Sequence, residues 1–282
     1  MEDSIRKADI LIEALPYIQA FRGKVIVAKY GGSAIDNPAS MKGILQDLIF
    51  LAAVGIRPVL VHGGGPAITK KLAQGGRQTA FVDGLRVTDQ ETVHMVDQAL
   101  EEVNARLVEQ IRALGGVAQG LVSKHGVVIA QPHAKSAQLG FVGSVKSIGV
   151  DAIKPVFTHH AIPVLSPVGS ENGQLYNINA DDVASDVAAA LKAEKLVLLT
   201  NVRGILRDAN DKNSLISTLS VDEADILLDR KVIGEGMIPK VAACVHALKH
   251  GVKKTHIIDA SLPHALLLEI FTKQGIGTEI IH

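Results

Sequence analysis

Lys29 and five nearby glycines set the first chemical constraint in this chain. Lys29-Tyr30-Gly31-Gly32-Ser33 follows the apolar run Val25-Ile26-Val27-Ala28, and His62-Gly63-Gly64-Gly65-Pro66 follows Pro58-Val59-Leu60-Val61. Apolar, β-branched runs that end in glycine read as buried strands entering tight turns. Glycine lets backbone N–H groups approach an anion with no Cβ in the way. One such turn is common. Two, one of them carrying a lysine, predict a surface that holds phosphate. A lysine is usually a solvated charge, but Lys29 ends an apolar strand beside two glycines, which argues against that fate.

Other chemistries fit poorly. The Gly-x4-Gly-Lys-Ser/Thr phosphate loop is absent. A dinucleotide fingerprint needs a very small residue where Gly63-Gly64-Gly65 leads to Ile68, so an oxidoreductase is disfavoured. There is no Gly-x-Ser-x-Gly nucleophile elbow, no His-Glu-x-x-His pair and no Cys/His cluster. The sequence therefore marks no metal site. The single cysteine, Cys244, lies in an apolar helical pattern and reads as a small buried residue rather than a nucleophile.

The elements that must position these residues alternate. Strand 24–29 leads to a helix near 40–54, strand 58–62 to a helix near 66–74, and a long helix covers roughly 89–114. Residues 117–147 break the rhythm with short β-rich pieces that look like hairpins added to the main sheet. Alternation resumes with helix 151–160, strand 162–165, helix 180–192, strand 195–200, helices near 221–229 and 237–250, strand 255–259, helix 263–272 and strand 278–281. Repeated βα units predict an α/β fold: an open, mainly parallel sheet sandwiched between helices. Ahead of the first strand, residues 4–21 repeat apolar side chains at steps of three and four, from Ile5 through Leu11, Ile12 and Leu15 to Ile18. Pro16 is expected to kink that helix or divide it. Its apolar stripe packs either on its own domain or on the same helix of another subunit.

The bulk properties agree. The 282 residues are 47% hydrophobic, enough for a sizeable α/β core. Lys+Arg and Asp+Glu number 29 each, and with aromatic residues at 3% this argues against nucleic-acid binding. No apolar run reaches the ~18 residues that cross a membrane, and the charged N-terminus lacks a signal-peptide core. One cysteine fits a reducing compartment, so the expectation is a cytoplasmic protein.

At this point the sequence resembles the amino-acid kinase family, and within it the acetylglutamate branch. The resemblance runs from about Lys24 to Ile281. It rests on Lys29-x-Gly31-Gly32, His62-Gly63-Gly64-Gly65-Pro66, Gly84-Leu85-Arg86-Val87-Thr88, Asn177-Ile178-Asn179-Ala180-Asp181, Leu199-Thr200-Asn201-Val202-x-Gly204 and Gly236-Met237-Ile238-Pro239-Lys240. The resemblance implies two lobes, an N-acetylglutamate-binding lobe at 24–176 and an ATP-binding lobe at 177–282, with an oligomerisation helix at 1–23. It implies transfer of the γ-phosphoryl of ATP, carried with Mg²⁺, to the γ-carboxylate of N-acetyl-L-glutamate. That carboxylate is already ionised at neutral pH, so no base is needed. The difficulty is charge repulsion, and catalysis becomes positioning and neutralisation. Lys29 and Lys240 would contact the transferred phosphoryl, with Asp181 orienting both. Backbone N–H groups of Gly31, Gly32, Gly64 and Gly65 would hold the phosphoryl and substrate carboxylate. Arg86 suits a bidentate grip on the substrate α-carboxylate. Asn177 would meet the acetamido group, and Asn179 serves the substrate or caps helix 180–192. Asn201, Val202, Arg203, Gly204, Ile205 and Leu206 would flank adenosine, with Val232, Ile233 and Gly234 nearby. No carboxylate cluster marks a protein cage for Mg²⁺, which is expected to ride on phosphates and water.

The C-terminal stretch from His256 to Thr278, and the helix ending Leu15-Pro16-Tyr17-Ile18, resemble the arginine-inhibited members of that branch. There the extra helix interlaces dimers into a hexamer and arginine binds beside it. Carried over, Glu269 would pair with the arginine side chain, with Tyr17, His256 and Gly275 nearby. This chain has Asp259-Ala260-Ser261 where those members commonly have Asp-Gly-Arg. Some relatives also bind a regulatory signalling protein, and the sequence decides neither for nor against one. Two other readings remain: a family member acting on glutamate or aspartate, and an arginine-sensing subunit with a degenerate site.

Overall fold

The computed structural model describes the chain except residues 209, 210, 212, 213, 231, 232, 235, 273 and 274, and except the side chains of residues 3, 4, 7, 33 and 36. Its first helix, α1 (Glu2–Phe21), runs unbroken through Pro16 rather than dividing there. Proline removes only the one N–H that would bond four residues back, and the flanking turns keep theirs. Then come β1 (Val25–Tyr30), a 3₁₀ turn at Gly32–Asp36, α2 (Pro38–Ala53), β2 (Arg57–His62) and α3 (Gly65–Gln74). Asn37 starts α2 by accepting from the backbone N–H groups of Ala39 and Ser40, ahead of Pro38 at the first helical position. A small hairpin, β3 (Phe81–Val82) and β4 (Leu85–Arg86), precedes the long helix α4 (Gln90–Ala113).

The middle of the chain differs from the sequence expectation. β5 (Ala118–Leu121) joins the main sheet as a parallel edge strand. β6 (Val128–Pro132), followed by the single turn α5 (Ser136–Leu139) and β7 (Gly143–Ile148), does not join it. After the turn α6 (Val150–Ile153), a 3₁₀ stretch at Lys154–His159 and β8 (Ile162–Leu165), two further strands appear, β9 (Val168–Glu171) and β10 (Gln174–Asn177). Together β10-β9-β6-β7 form a second, four-stranded sheet. The expected helix at 151–160 is thus one α-turn and a 3₁₀ segment, because Pro155 cannot donate into a continuing α-ladder. The chain closes with α7 (Ala180–Ala190), β11 (Lys195–Thr200), β12 (Thr218–Ser220), α8 (Val221–Asp229), α9 (Ile238–Lys249), β13 (Lys254–Asp259), α10 (Ala265–Phe271) and β14 (Thr278–Ile281).

The main sheet has the order β12-β14-β13-β11-β1-β2-β8-β5. Six strands from β13 to β5 are parallel, while β14 runs antiparallel to β13 and carries β12 with it. Strand alternation divides the core. Ile26, Ala28 and Tyr30 face a layer with α2, α4 and α10, whereas Val27 faces the layer of α7 and α9. Lys29, two residues after Val27, emerges on that second face. The last turns of α1 pack on its own domain through Tyr17 against Phe271, ring centroids 6.3 Å apart. Its earlier turns leave Ile5, Ile10, Leu11 and Ile12 exposed. Of the two packing partners the sequence left open, the chain's own domain takes the last turns of the helix, and the earlier turns face outward.

Candidate active site

Because β1 and β2 are parallel neighbours with Tyr30 opposite His62, their glycine turns must meet at the C-terminal ends of these strands. The Gly63 N–H donates to Tyr30 O at 2.8 Å. A Cβ on Gly31 would stand 3.0 Å from Gly63 Cα, and one on Gly64 would stand 2.4 Å from Leu100 Cδ2. Close approach of one turn to the other and of Gly64 to α4 thus leaves little room for a side chain at either glycine. Among the described residues no backbone acceptor takes the N–H of Gly31, Gly64 or Gly65. Gly65 also opens α3, so its N–H lies at the positive end of the helix dipole. Gly32 sits at φ +69° in open space.

Lys29, Asp181 and Lys240 converge. Lys29 Nζ lies 2.8 Å from Asp181 Oδ1, and Lys240 Nζ donates to Asp181 Oδ2 at 3.0 Å. Asp181 is in the first turn of α7, where Asn179 caps the helix by accepting from the Asp181 N–H at 2.8 Å. The predicted capping role of Asn179 is thus filled. Burial favours the neutral acid, yet the Lys29 and Lys240 charges outweigh it and hold the Asp181 carboxyl below its ordinary range. Lys240 occupies the first turn of α9, where a helix dipole repels cations. One carboxylate thus faces two ammonium groups, leaving the cluster with an excess positive charge at the strand ends where the N–H groups of Gly31, Gly64 and Gly65 have no backbone acceptor among the described residues.

Arg86 is buried, 7% exposed, at the end of β4. Its Nη1 donates to Thr79 Oγ1 at 2.8 Å and its Nη2 to Thr69 Oγ1 at 3.0 Å, while the guanidinium lies over the Phe81 ring at 4.8 Å. Burial lowers its pKa, and among the described residues no carboxylate is paired with it. An aligned, half-desolvated guanidinium without a counter-ion is arranged for a ligand carboxylate. Asn177, at the end of β10, donates from Nδ2 to Thr88 Oγ1 at 3.3 Å, and Thr88 Oγ1 donates to Arg86 O at 2.8 Å. Thr69, Thr79 and Thr88 were not singled out as site residues from the sequence. Only Thr88 carried a signal there, as the last residue of Gly84-Leu85-Arg86-Val87-Thr88.

Thr200, at the end of β11, holds the next turn by accepting from the Val202 N–H at 3.1 Å and donating to Val202 O at 2.8 Å. Asn201, Val202 and Arg203 are exposed. Gly204 is packed so that a Cβ would lie 2.6 Å from Thr278 Oγ1, and Ile205 is buried in the core. Gly204 and Ile205 can therefore offer a ligand only backbone, while Leu206 is half-buried beside Leu215. Ile233 is buried and Gly234 is open; Val232 lies outside the described residues.

The four residues assigned by resemblance to an effector are brought together elsewhere. A cavity of about 470 Å³ is lined by Tyr17, Lys195, Glu269, Gly275, Gly277 and Glu279 among others, and none of Lys29, Asp181 and Lys240 lines it. His256 is buried beneath Glu269, its Nδ1 2.7 Å from Glu269 Oε1 and its Nε2 3.2 Å from Lys195 Nζ. Burial opposes the Glu269 charge, but His256, the Ile276 N–H and Lys195 hold its carboxyl below the usual range. Lys195 was not anticipated here; its place at the start of a buried strand hid it among core positions.

The model of the amino acid kinase family matches residues 24–259. An acetylglutamate kinase of Desulforamulus reducens is 47% identical over 285 residues, covering 100% of this chain and 99% of that protein. An acetylglutamate kinase of Synechococcus elongatus is 48% identical over 275 residues, covering 96% and 91%. Among solved structures, an N-acetylglutamate synthase from Neisseria gonorrhoeae, complexed with coenzyme A and N-acetyl-glutamate, superposes with TM-score 0.85 at 28% identity. The chain covers 62% of that synthase, which covers 96% of this chain. A carbamate kinase from Giardia lamblia bound to AMP-PNP gives TM-score 0.68 at 16% identity over 92% of this chain and 98% of its own, a likeness of fold.

Proposed function

Since the chain belongs to the amino acid kinase family, we propose that it transfers the γ-phosphoryl group of ATP to the γ-carboxylate of N-acetyl-L-glutamate. The product is N-acetyl-L-glutamyl 5-phosphate, and the step belongs to arginine biosynthesis. One observation carries the reading: a buried carboxylate holds two lysines beside two glycine turns in which, among the described residues, the N–H groups of Gly31, Gly64 and Gly65 have no backbone acceptor. An ionised substrate carboxylate attacks the γ-phosphorus, a P–O bond forms, and the bond to ADP breaks with its electron pair leaving on ADP. Lys29 meets the phosphoryl from the β1 side and Lys240 from the nucleotide side, so charge on the transferring group is neutralised as it moves. Arg86 grips the α-carboxylate and Asn177 meets the acetamido group. ATP lies along 201–206, with Mg²⁺ held chiefly by its phosphates and water.

In this reading acetylglutamate occupies the lobe 24–176, ATP the lobe 177–282, and residues 177–181 their junction. No helix among the described residues is long and apolar enough to cross a membrane, which agrees with a cytoplasmic enzyme. The exposed stripe of α1 pairs with a second copy, giving a hexamer built as a trimer of dimers, and the cavity beside it takes arginine as feedback inhibitor. Hydroxylamine trapping of the acyl phosphate tests the reaction. N-acetylglutamate should give hydroxamate at a kcat/KM at least ~100-fold above glutamate or aspartate, because both lack a partner for Asn177. A preference for either unacetylated acid refutes the substrate assignment. Arginine should suppress the same assay, and a flat response to millimolar arginine removes the inhibitor from the account.

A further inference from the structure

His62 precedes the second glycine turn and is completely buried, yet the reaction above gives it no role. Its surroundings fix more than its packing. Asn104, on α4, donates from Nδ2 to the carbonyl of Val164 at 2.8 Å. A carbonyl only accepts, so the amide nitrogen, not the oxygen, must face β8. The second hydrogen of that nitrogen points at His62 Nε2, 3.1 Å away. At the other end of the ring, Nδ1 lies 2.9 Å from the carbonyl oxygen of Gly63, again a pure acceptor. The two carbonyls leave one consistent arrangement: Nδ1 carries the proton and Nε2 accepts. Gly120 makes room for it, since a Cβ there would stand 2.2 Å from Asn104 Oδ1. Burial, with the Arg106 charge nearby, keeps the ring neutral against the pull of the Gly63 hydrogen bond.

The bond to Gly63 has a geometric consequence. In a planar trans peptide the C=O and the following N–H point in opposite directions. A Gly63 carbonyl drawn inward to a buried ring therefore turns the Gly64 N–H outward. That N–H has no backbone acceptor among the described residues. The peptide's neighbours are held too: the N–H of the preceding peptide, that of Gly63, donates to Tyr30 O at 2.8 Å, and Leu100 stands behind Gly64. We propose that His62, its tautomer set by Asn104, is a positioning residue for phosphoryl transfer: it holds the Gly63–Gly64 peptide so that the Gly64 N–H aims at the reacting anion. The proposal rests on the kinase reading above, because it needs an anion at that turn.

Three variants separate positioning from simple core filling. His62→Asn keeps an amide nitrogen where Nδ1 stands. His62→Gln reaches Asn104 but has no donor at the Nδ1 position, and His62→Leu fills space with neither. Losing a preorganised donor costs kcat rather than ground-state binding. His62→Gln and His62→Leu should lose about 10- to 100-fold in kcat, with the ATP KM within about twofold, while His62→Asn stays within about fivefold of the parent. An asparagine variant no better than leucine, or a leucine variant with full kcat, overturns the proposal. Should leucine fail to fold, asparagine against glutamine decides. Ring ¹⁵N NMR of the unmodified protein, with the His62 signal assigned by its loss in His62→Asn, reads the tautomer directly. A protonated Nδ1 and a bare Nε2 are expected, and the reverse tautomer overturns the proposal. If the parent forms no acyl phosphate at all, the kinase reading fails, and the NMR result still judges the hydrogen-bond chain by itself.

Discussion

At Asp181 one carboxylate is shared by two ammonium groups, and in the proposed reading the surplus of positive charge meets an incoming polyphosphate. Were the carboxylate absent, two lysines would repel each other without an anion; were either lysine absent, the cluster would lose its attraction for one. Arg86 shows the same economy of charge at the substrate end, where hydroxyl groups and a ring hold a guanidinium without neutralising it. Arg86→Ala should therefore raise the KM for acetylglutamate at least ~30-fold and leave that for ATP nearly unchanged, measured by initial rates. A loss confined to ATP shows that Arg86 serves the wrong ligand. Burial of His62 also has a pH signature. Its imidazole is pushed down to about 4, whereas the unfolded chain takes up that proton near 6.5. Between those values the unfolded state binds more protons, so this share of stability, about 3 kcal/mol at most, is present above pH 6.5 and lost as pH falls towards 4. Denaturant titrations from pH 7 to 4 should show a shallower loss in His62→Asn than in the parent; equal slopes contradict the buried neutral ring.

Elements place these side chains with different degrees of legibility. The strands at 162–165, 195–200 and 278–281 and the helix at 221–229 were readable because apolar runs and caps coincide. The hairpins were not, although each carried its signal. Asp83-Gly84 and Asn172-Gly173 both take positive φ, at 50° and 77° and at 50° and 83°, and each closes a two-residue turn. Asx-Gly between short apolar pieces marks such turns. β3 and β4 are two residues long, too short for periodicity to show, and β9 and β10 mix glycine and polar residues into four, without the apolar run that marks 162–165. Those hairpins carry Arg86 and Asn177, the residues proposed to meet the substrate, so the motifs pointed to these residues while the pattern missed what holds them. The extra sheet was likewise hidden, since alternation tells that a strand exists and not which sheet it joins. At α1 the balance reverses: the stripe was legible, and its exposed Ile10, Leu11 and Ile12 argue for a second copy. Removing residues 1–22 should reduce the mass by light scattering from six subunits to two, and an unchanged mass excludes that role.

Across the whole molecule, residues 29, 181 and 240 meet because β1 is central in the sheet and the first turns of α7 and α9 lie against the face on which Lys29 emerges. Composition could not show that convergence, and spacing along the chain hides it; only the order of motifs hinted that distant residues act together. The cavity beside α1 and α10 uses a separate part of the same sheet, through Lys195 and His256 on β11 and β13. One scaffold thus supports a transfer site and, in the proposed reading, an inhibitor site. In the proposed reading the transfer site works by neutralising charge as the phosphoryl group moves, and Lys29, at the central strand, is the residue assigned that role. The most direct measurement is the steady-state rate of hydroxamate formation by Lys29→Ala with ATP and N-acetylglutamate. The account predicts that kcat falls by about 100-fold or more while both KM values stay within about threefold. A kcat equal to that of the parent would contradict it.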